Sequence, residues 1–323
     1  MIGFLCQASS VSLVYYEYGT RVDIKMTFPR RITLPGLTIC IGLIADRSVL
    51  QKNSINTTGL SDQQVIEQYA YLPMRQVASV PGVEVQIKCR APVFPSEVIK
   101  TGDSCENYAN PITTLHYNYL GSGIRKCFTY FYQEKDGPKM KARLGVDKII
   151  YQVDFVSKSD HEIAINLHNP IEILHYLEAD TIYFNTSRVS EFVLLSSKMT
   201  TKMLPSPYRT LCRDYRNVTM GRTGCIQSCR LQRPLAQCQI WSKFVPAPVH
   251  SNFTFKMPNR RCRLPRHDAC RSTRVCRNQC ENNWYTATRI WSESRRDSSQ
   301  LTRIYVRGDF NQGKCGSQLA ALN

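Results

Sequence analysis

The sequence predicts an α+β chain in which antiparallel sheet comes first and a cysteine-rich module of short helices follows. Three observations carry this reading. Apolar and polar residues alternate with period two over several segments before residue 200, the pattern of strands with one packed face. Eight of the fourteen cysteines fall between Cys212 and Cys280. The charge divides at nearly the same place. Residues 1–201 carry 20 basic and 19 acidic side chains, and residues 202–323 carry 22 and 6, nets of +1 and +16 that sum to the +17 of the chain. With 323 residues, 42% of them hydrophobic, the chain can build a full core and is not a disordered polymer.

Residues 1–16, MIGFLCQASSVSLVYY, are uncharged and end at Glu17. A lone span needs about twenty residues, so this run is too short by itself. A signal peptide is one reading, although no basic residue precedes Arg21. The outer part of a transmembrane helix is another, with Tyr15, Tyr16 and Tyr18 as interfacial aromatics. Beyond it, residues 37–45 form the longest apolar run, which is strand length, and 36–45 reads as a buried strand. No second membrane span is present.

Ser61-Asp62-Gln63-Gln64 is a capping box, and Val65, Ile66, Tyr69 and Leu72 follow at helical spacing, predicting a helix over 62–74. Strands then dominate. Val83, Val85, Ile87 and Cys89 alternate with polar residues. So do Tyr151, Val153 and Phe155, then Ile163, Ile165 and Leu167. Residues 182–200 continue the pattern, and Gly121-Ser122-Gly123 reads as a turn. After Pro205-Ser206-Pro207 the texture changes to short helices among cysteines. Residues 304–306 read as one more strand, and 311–323 as a tail without periodicity.

Four N-x-S/T sequons begin at Asn56, Asn185, Asn217 and Asn252. Together with fourteen cysteines they favour an oxidising, glycosylating compartment. The basic second half invites a nucleic-acid reading, but no aromatic-plus-basic RNA motif or zinc-finger spacing accompanies it. No nucleic-acid partner is expected.

Cys225 and Cys229, and again Cys276 and Cys280, stand four apart. On a helix such pairs share a face, so two antiparallel helices could carry a ladder of disulfides. A zinc site is the chemical rival, with His250 and His267 near. The sequence shows no G-x-S-x-G, no G-x-x-x-x-G-K and no H-E-x-x-H. The expectation is a non-enzyme without cofactor or resident metal.

Five segments in order carry a resemblance. They are Tyr15-Tyr16-Glu17-Tyr18 with Leu34-Pro35-Gly36-Leu37-Thr38-Ile39-Cys40, then Gly123-Ile124-Arg125-Lys126-Cys127-Phe128-Thr129-Tyr130, then Leu204-Pro205-Ser206-Pro207-Tyr208 running to Cys212-Arg213-Asp214-Tyr215, then the cysteine ladder, and Cys280-Glu281-Asn282-Asn283-Trp284-Tyr285. Over about 3–306 the chain resembles the ectodomain of the degenerin/epithelial sodium channel family, in its invertebrate branch. The resemblance implies a subunit of a trimeric, amiloride-sensitive sodium channel at the plasma membrane, mostly extracellular, homomeric or assembled with related subunits. It implies a hand-like ectodomain of antiparallel palm and β-ball with a disulfide-rich helical thumb. The boundaries are 1–18 for a partial first membrane helix, 19–204 for palm, finger and β-ball, 205–285 for the thumb, 286–310 for a returning palm strand, and 311–323 for a tail.

The bridges the resemblance implies are Cys40–Cys127, Cys89–Cys105, Cys212–Cys280, Cys225–Cys276 and Cys238–Cys270. The family has further thumb cysteines where this chain has Ile240 and Arg274, which orphans Cys262 and Cys229; these two are expected to pair with each other or else to remain reduced. Coupling of the ectodomain to the gate is expected through Tyr208 and Tyr18. The family's filter lies in a second membrane helix that these residues do not contain. No residue is therefore assigned to the pore, and a truncated subunit is the expected explanation. The alternative is a secreted or tethered disulfide-rich ectodomain whose basic half binds acidic ligands such as sulfated glycans.

Overall fold

The fold is that of a computed structural model, which describes residues 31–80, 84–89, 93–94, 110–118, 123–133, 141–143, 149–156, 162–173, 181–186, 188–203, 212–215, 221–256, 270, 275–294 and 301–308. The expected Tyr18, Tyr208, Asn217, Cys105, Cys262 and His267, and the side chain of Cys89, lie outside them. The strands are β1 (Arg31–Thr33), β2 (Gly36–Gly42), β3 (Glu84–Cys89), β4 (Val93–Phe94), β5 (Ile112–Asn118), β6 (Gly123–Tyr130), β7 (Lys141–Arg143), β8 (Ile149–Val156), β9 (Glu162–His168), β10 (Thr181–Asn185), β11 (Val189–Lys202), β12 (Ala247–Pro248), β13 (Glu281–Ser294) and β14 (Leu301–Gly308). The α-helices are α1 (Arg47–Gln51), α2 (Asp62–Gln68), α3 (Met74–Ala78) and α4 (Arg222–Cys238). The chain is thus mixed α+β, mostly antiparallel sheet with few helices.

Two sheets face each other. One has six strands in the order β10-β9-β2-β6-β5-β12, and the other five in the order β13-β11-β14-β8-β3. All pairings are antiparallel except β11 with β14. Leu37, Ile39 and Ile41 of β2 and Ile163, Ile165 and Leu167 of β9 form one apolar face. Val153 and Phe155 of β8, Ile304 and Val306 of β14 and Leu194 of β11 oppose them. Phe155 meets Phe184 edge-on, with ring centroids 5.9 Å apart. The hydroxyl of Tyr151 donates to the carbonyl of Pro35 at 3.0 Å, so a fully buried phenol keeps its polar end satisfied. The last described strand, β14, sits between β11 and β8, so the sheet is complete only when the chain's far end has been inserted.

The opposite face of the six-stranded sheet is polar and still buried. Thr38, Thr129, His116, Asn166 and His168 are each at most 2% exposed. His168 Nδ1–H donates to the carbonyl of Asn169 at 2.8 Å. That fixes the tautomer, so Nε2 accepts from the Thr38 hydroxyl at 2.8 Å, and Thr38 Oγ1 accepts from Thr129 at 2.9 Å. Gly36 backs this chain closely, because a Cβ there would lie 2.6 Å from the His168 ring.

A second core forms under the helices. The capping box is present: Ser61 Oγ accepts from the Gln64 amide and Gln64 Oε1 accepts from the Ser61 amide. The single helix expected over 62–74 is instead broken. α2 ends at Gln68, a 3₁₀ turn spans Tyr69–Tyr71, and α3 starts after Pro73. Proline forces the residue before it out of the helical region, and Leu72 is extended at φ −89°, ψ 152°. Val65, Tyr69, Met74 and Val77 then pack with Leu115, Ile124, Ala247 and Phe255.

The reading of 286–310 as one returning strand also changes. β13 begins at Glu281 and runs for 14 residues beside β11, before β14. It is an edge strand with Trp284 and Ile290 each 49% exposed, so no period-two apolar pattern marks it in the sequence.

Candidate functional site at the junction of sheet and disulfide module

β11 and β13 form a long ribbon, and residues 203–280 connect its two strands. The root of this insertion is tied twice. Cys212 is bonded to Cys280. The Met203 amide donates to the Cys280 carbonyl at 2.6 Å, and the backbones of Arg213, Asn278 and Cys280 bond across at 2.8 and 3.1 Å. The module's helix is α4. Gly221 caps its start, and it ends where Gln239 turns left-handed at φ 55°, with the Gln239 amide bonded back to the Leu235 carbonyl.

Cys225 and Cys229 stand one turn apart on α4, and bond to Cys276 and Cys270 respectively. With Cys40–Cys127, these bridges include three of the pairs that the resemblance implied. Two expectations are overturned. Cys270 is bonded to Cys229, so neither Cys238–Cys270 nor Cys229–Cys262 forms. Cys238 is also disulfide-bonded. The physical reason is the helix. Cys229 follows Cys225 by four residues and lies on the same face, next to the strand of chain that Cys276 already holds, whereas Cys238 is more than two turns farther on. The second half of the ladder is not a helix, since Cys276 and Cys280 each lie at a bend in irregular chain.

The other side of α4 meets a carboxyl group, because Thr223 and Gln227 lie two residues out of phase with Cys225 and Cys229. Thr223 Oγ1 donates to Glu172 Oε2 at 3.1 Å, and Gln227 Nε2 donates to the Ile173 carbonyl at 2.7 Å. The segment after β9 is itself pinned, because the Gln133 amide donates to the Pro170 carbonyl at 2.9 Å. Burial raises the Glu172 carboxyl above its ordinary value, against hydrogen bonds from Thr223 and Gln279 that favour the charged form. Its place at the first turn of α4 suits a negative charge, since helix N-termini are electropositive. Gly221 leaves the room: a Cβ there would lie 2.6 Å from Gln279 Nε2 and 3.3 Å from Glu172 Oε1.

Beyond α4, residues 240–256 fold back on the second core. The Lys256 amide donates to the Ala70 carbonyl at 2.8 Å, and the amides of Met74 and Arg75 donate to the Phe253 and Ser251 carbonyls at 3.1 Å. The module is therefore attached to the helices as well as to the sheets. Among the described residues, one group of metal-ligating side chains converges, Cys40, His116 and Cys127, but its two sulfurs are bonded to each other. The zinc alternative loses its thiolates in the same way, because Cys212, Cys225, Cys229, Cys238, Cys270, Cys276 and Cys280 are all disulfide-bonded. Asn56 and Asn252 are exposed and Asn185 is half-buried. No described helix is long and apolar enough to cross a membrane.

No family model matches this chain. No curated protein matches it either. Glu172, Thr223 and Gln227 carry no sequence signal, because the two sides of the contact lie about fifty residues apart and each looks like ordinary loop or helix surface.

Proposed function

We propose that the chain is the ectodomain part of a degenerin/epithelial sodium channel-type subunit, a non-enzyme in which β-sheet forms the palm and the disulfide module the thumb. The observation that supports this best is the insertion of a bridged helical module between the two strands of one ribbon, clamped at its root by Cys212–Cys280. A module held this way transmits displacement along a stiff lever rather than absorbing it. Residues 240–256 are fixed in the second core by Ala247 and Phe255 and by β12 beside β5, but the contacts of α4 with the loop after β9, through Glu172 and Ile173, are polar. Such contacts exchange for water at a net cost of about 1 kcal/mol each, so they can break and reform within a signalling cycle. The subunit would assemble as a trimer in the plasma membrane and pass sodium ions through a pore to which no residue here is assigned.

The test is stoichiometry at the cell surface. Cross-linking of the expressed protein, followed by denaturing electrophoresis, is expected to stop at three copies. A strictly monomeric surface protein would overturn the reading.

A second reading is favoured by the +16 charge of residues 202–323: a tethered or secreted ectodomain that binds acidic ligands such as sulfated glycans. A monomer retained on heparin well above physiological salt would favour it.

A further inference from the structure

A cavity of about 170 Å³ lies where the segment following α4 meets β5, lined by Tyr117, Ile240, Trp241, Lys243, Phe255 and Lys256. Its walls come from parts of the chain more than 120 residues apart in sequence, so it exists only in the assembled fold. The apolar part is aromatic. Tyr117 and Phe255 stand 5.6 Å apart between ring centroids. Trp241 is held from behind, its Nε1–H donating to the Val245 carbonyl at 3.1 Å, and its ring lies 6.0 Å from that of Phe253. Its volume has room for a benzene-sized group, and one side is open to solvent.

The polar part is cationic. Lys256 Nζ lies 5.5 Å from the centre of the Tyr117 ring and 5.7 Å from that of Tyr71. Lys243 is exposed and its Nζ lies 5.4 Å from the centre of the Phe244 ring. Lys256 is engaged first by a hydrogen bond with the Tyr117 side chain, and Glu67 is the acidic group that also acts on it. One carboxylate against two ammonium groups leaves the lining net positive. An apolar site with a few charged groups in its lining is the usual form of a small-ligand pocket, and here the charged groups are cationic.

We infer that this cavity binds a benzene-sized apolar group carrying a carboxylate, the ring against Trp241 and Phe255 and the acid facing Lys243 and Lys256. Two sources supply that chemistry, a free aryl carboxylic acid and the C-terminal phenylalanine of a peptide. The inference does not rest on the channel reading, since it concerns binding alone.

The test uses the full chain and calorimetric titration with phenylacetate, phenylacetamide, a tetrapeptide ending in Phe with a free carboxylate, and its C-terminal amide. At least one of the two acids is expected to bind about tenfold or more tightly than its own amide, the usual effect of one charge-assisted hydrogen bond. Lys243→Met, a change at an exposed side chain, is expected to weaken that acid severalfold and leave the amide unchanged. Lys256→Met is expected to do more, and its thermal midpoint checks that it is folded. Tighter binding of the peptide acid identifies a chain terminus as the source, and tighter binding of phenylacetate identifies a free acid. If neither acid binds, if acids and amides bind alike, or if Lys243→Met leaves acid binding unchanged, the inference is wrong.

Discussion

Thr223 donates its hydroxyl to the carboxyl of Glu172 at 3.1 Å, and this bond joins the first turn of the module's helix to the loop that leaves β9. The carboxyl is enclosed, and burial raises its titration from its ordinary value. An acid whose folded value is raised binds more protons folded than unfolded at intermediate pH. Its contribution to stability is therefore fully present below the unfolded value and is lost as pH rises through the folded one. Glu172→Gln keeps an acceptor for Thr223 and removes the charge. It is expected to flatten the part of the thermal-midpoint profile above about pH 4.5 that Glu172 causes, and to leave the variant at least as stable as the wild type at pH 7. Calorimetric scans across pH 4 to 8 check this, and an unchanged profile contradicts it.

His168 gives a slope of the other sign. Burial lowers its ring to about 4, from 6.5, in the chain Thr129–Thr38–His168–Asn169. The folded protein holds the neutral ring, so stability is complete above pH 6.5 and is lost as pH falls toward 4. The loss amounts to about 3 kcal/mol at most, counting one proton across the interval. His168→Gln is expected to be less stable at pH 7 by about 1–3 kcal/mol through lost hydrogen bonds. Its urea midpoint should also fall less steeply between pH 6.5 and 4 than that of the wild type.

The core between the sheets should respond to cavities, and the ribbon's outer face should not. Phe155 is fully buried against Phe184, whereas Met199 is 57% exposed beside Trp284. Phe155→Ala is expected to cost about 3–5 kcal/mol and Met199→Ala about 0.5 kcal/mol or less, read from denaturant midpoints at constant slope. Comparable losses at both positions would contradict the placement of the core.

The cysteine ladder predicts a peptide map. Digestion without reduction is expected to yield Cys225–Cys276 and Cys229–Cys270 as neighbouring cross-links, and no Cys238–Cys270 species. Recovery of Cys238 bonded to Cys270 would return the pairing to the one the motifs imply. Each bridge closes a loop of 41 to 68 residues, which corresponds to about 4 kcal/mol of unfolded-chain entropy.

The sheets were largely legible in the sequence because their inner strands are one-sided. β8 and β9 alternate or run apolar where they meet the opposite sheet, and the capping box at Ser61 announces α2 with side-chain chemistry that is purely local. What escaped was decided by tertiary context. Pro73 splits the helical pattern, although Tyr69 and Leu72 keep the spacing of a continuous face. β13 is an edge with exposed Trp284 and Ile290, so burial leaves no period on it. The pairing of Cys229 depends on which segment lies across α4, and spacing alone does not contain that. The carboxyl of Glu172 becomes a junction residue only because Gly221 lets Gln279 and the helix start approach it.

We propose that this chain serves a sodium channel. The direct measurement is voltage clamp of cells expressing the gene's full transcript, with surface delivery checked by labelling. The account predicts an inward current that is carried by sodium, blocked by amiloride and diminished when Cys212 and Cys280 are both changed to Ser. A labelled surface protein that carries no such current would contradict it.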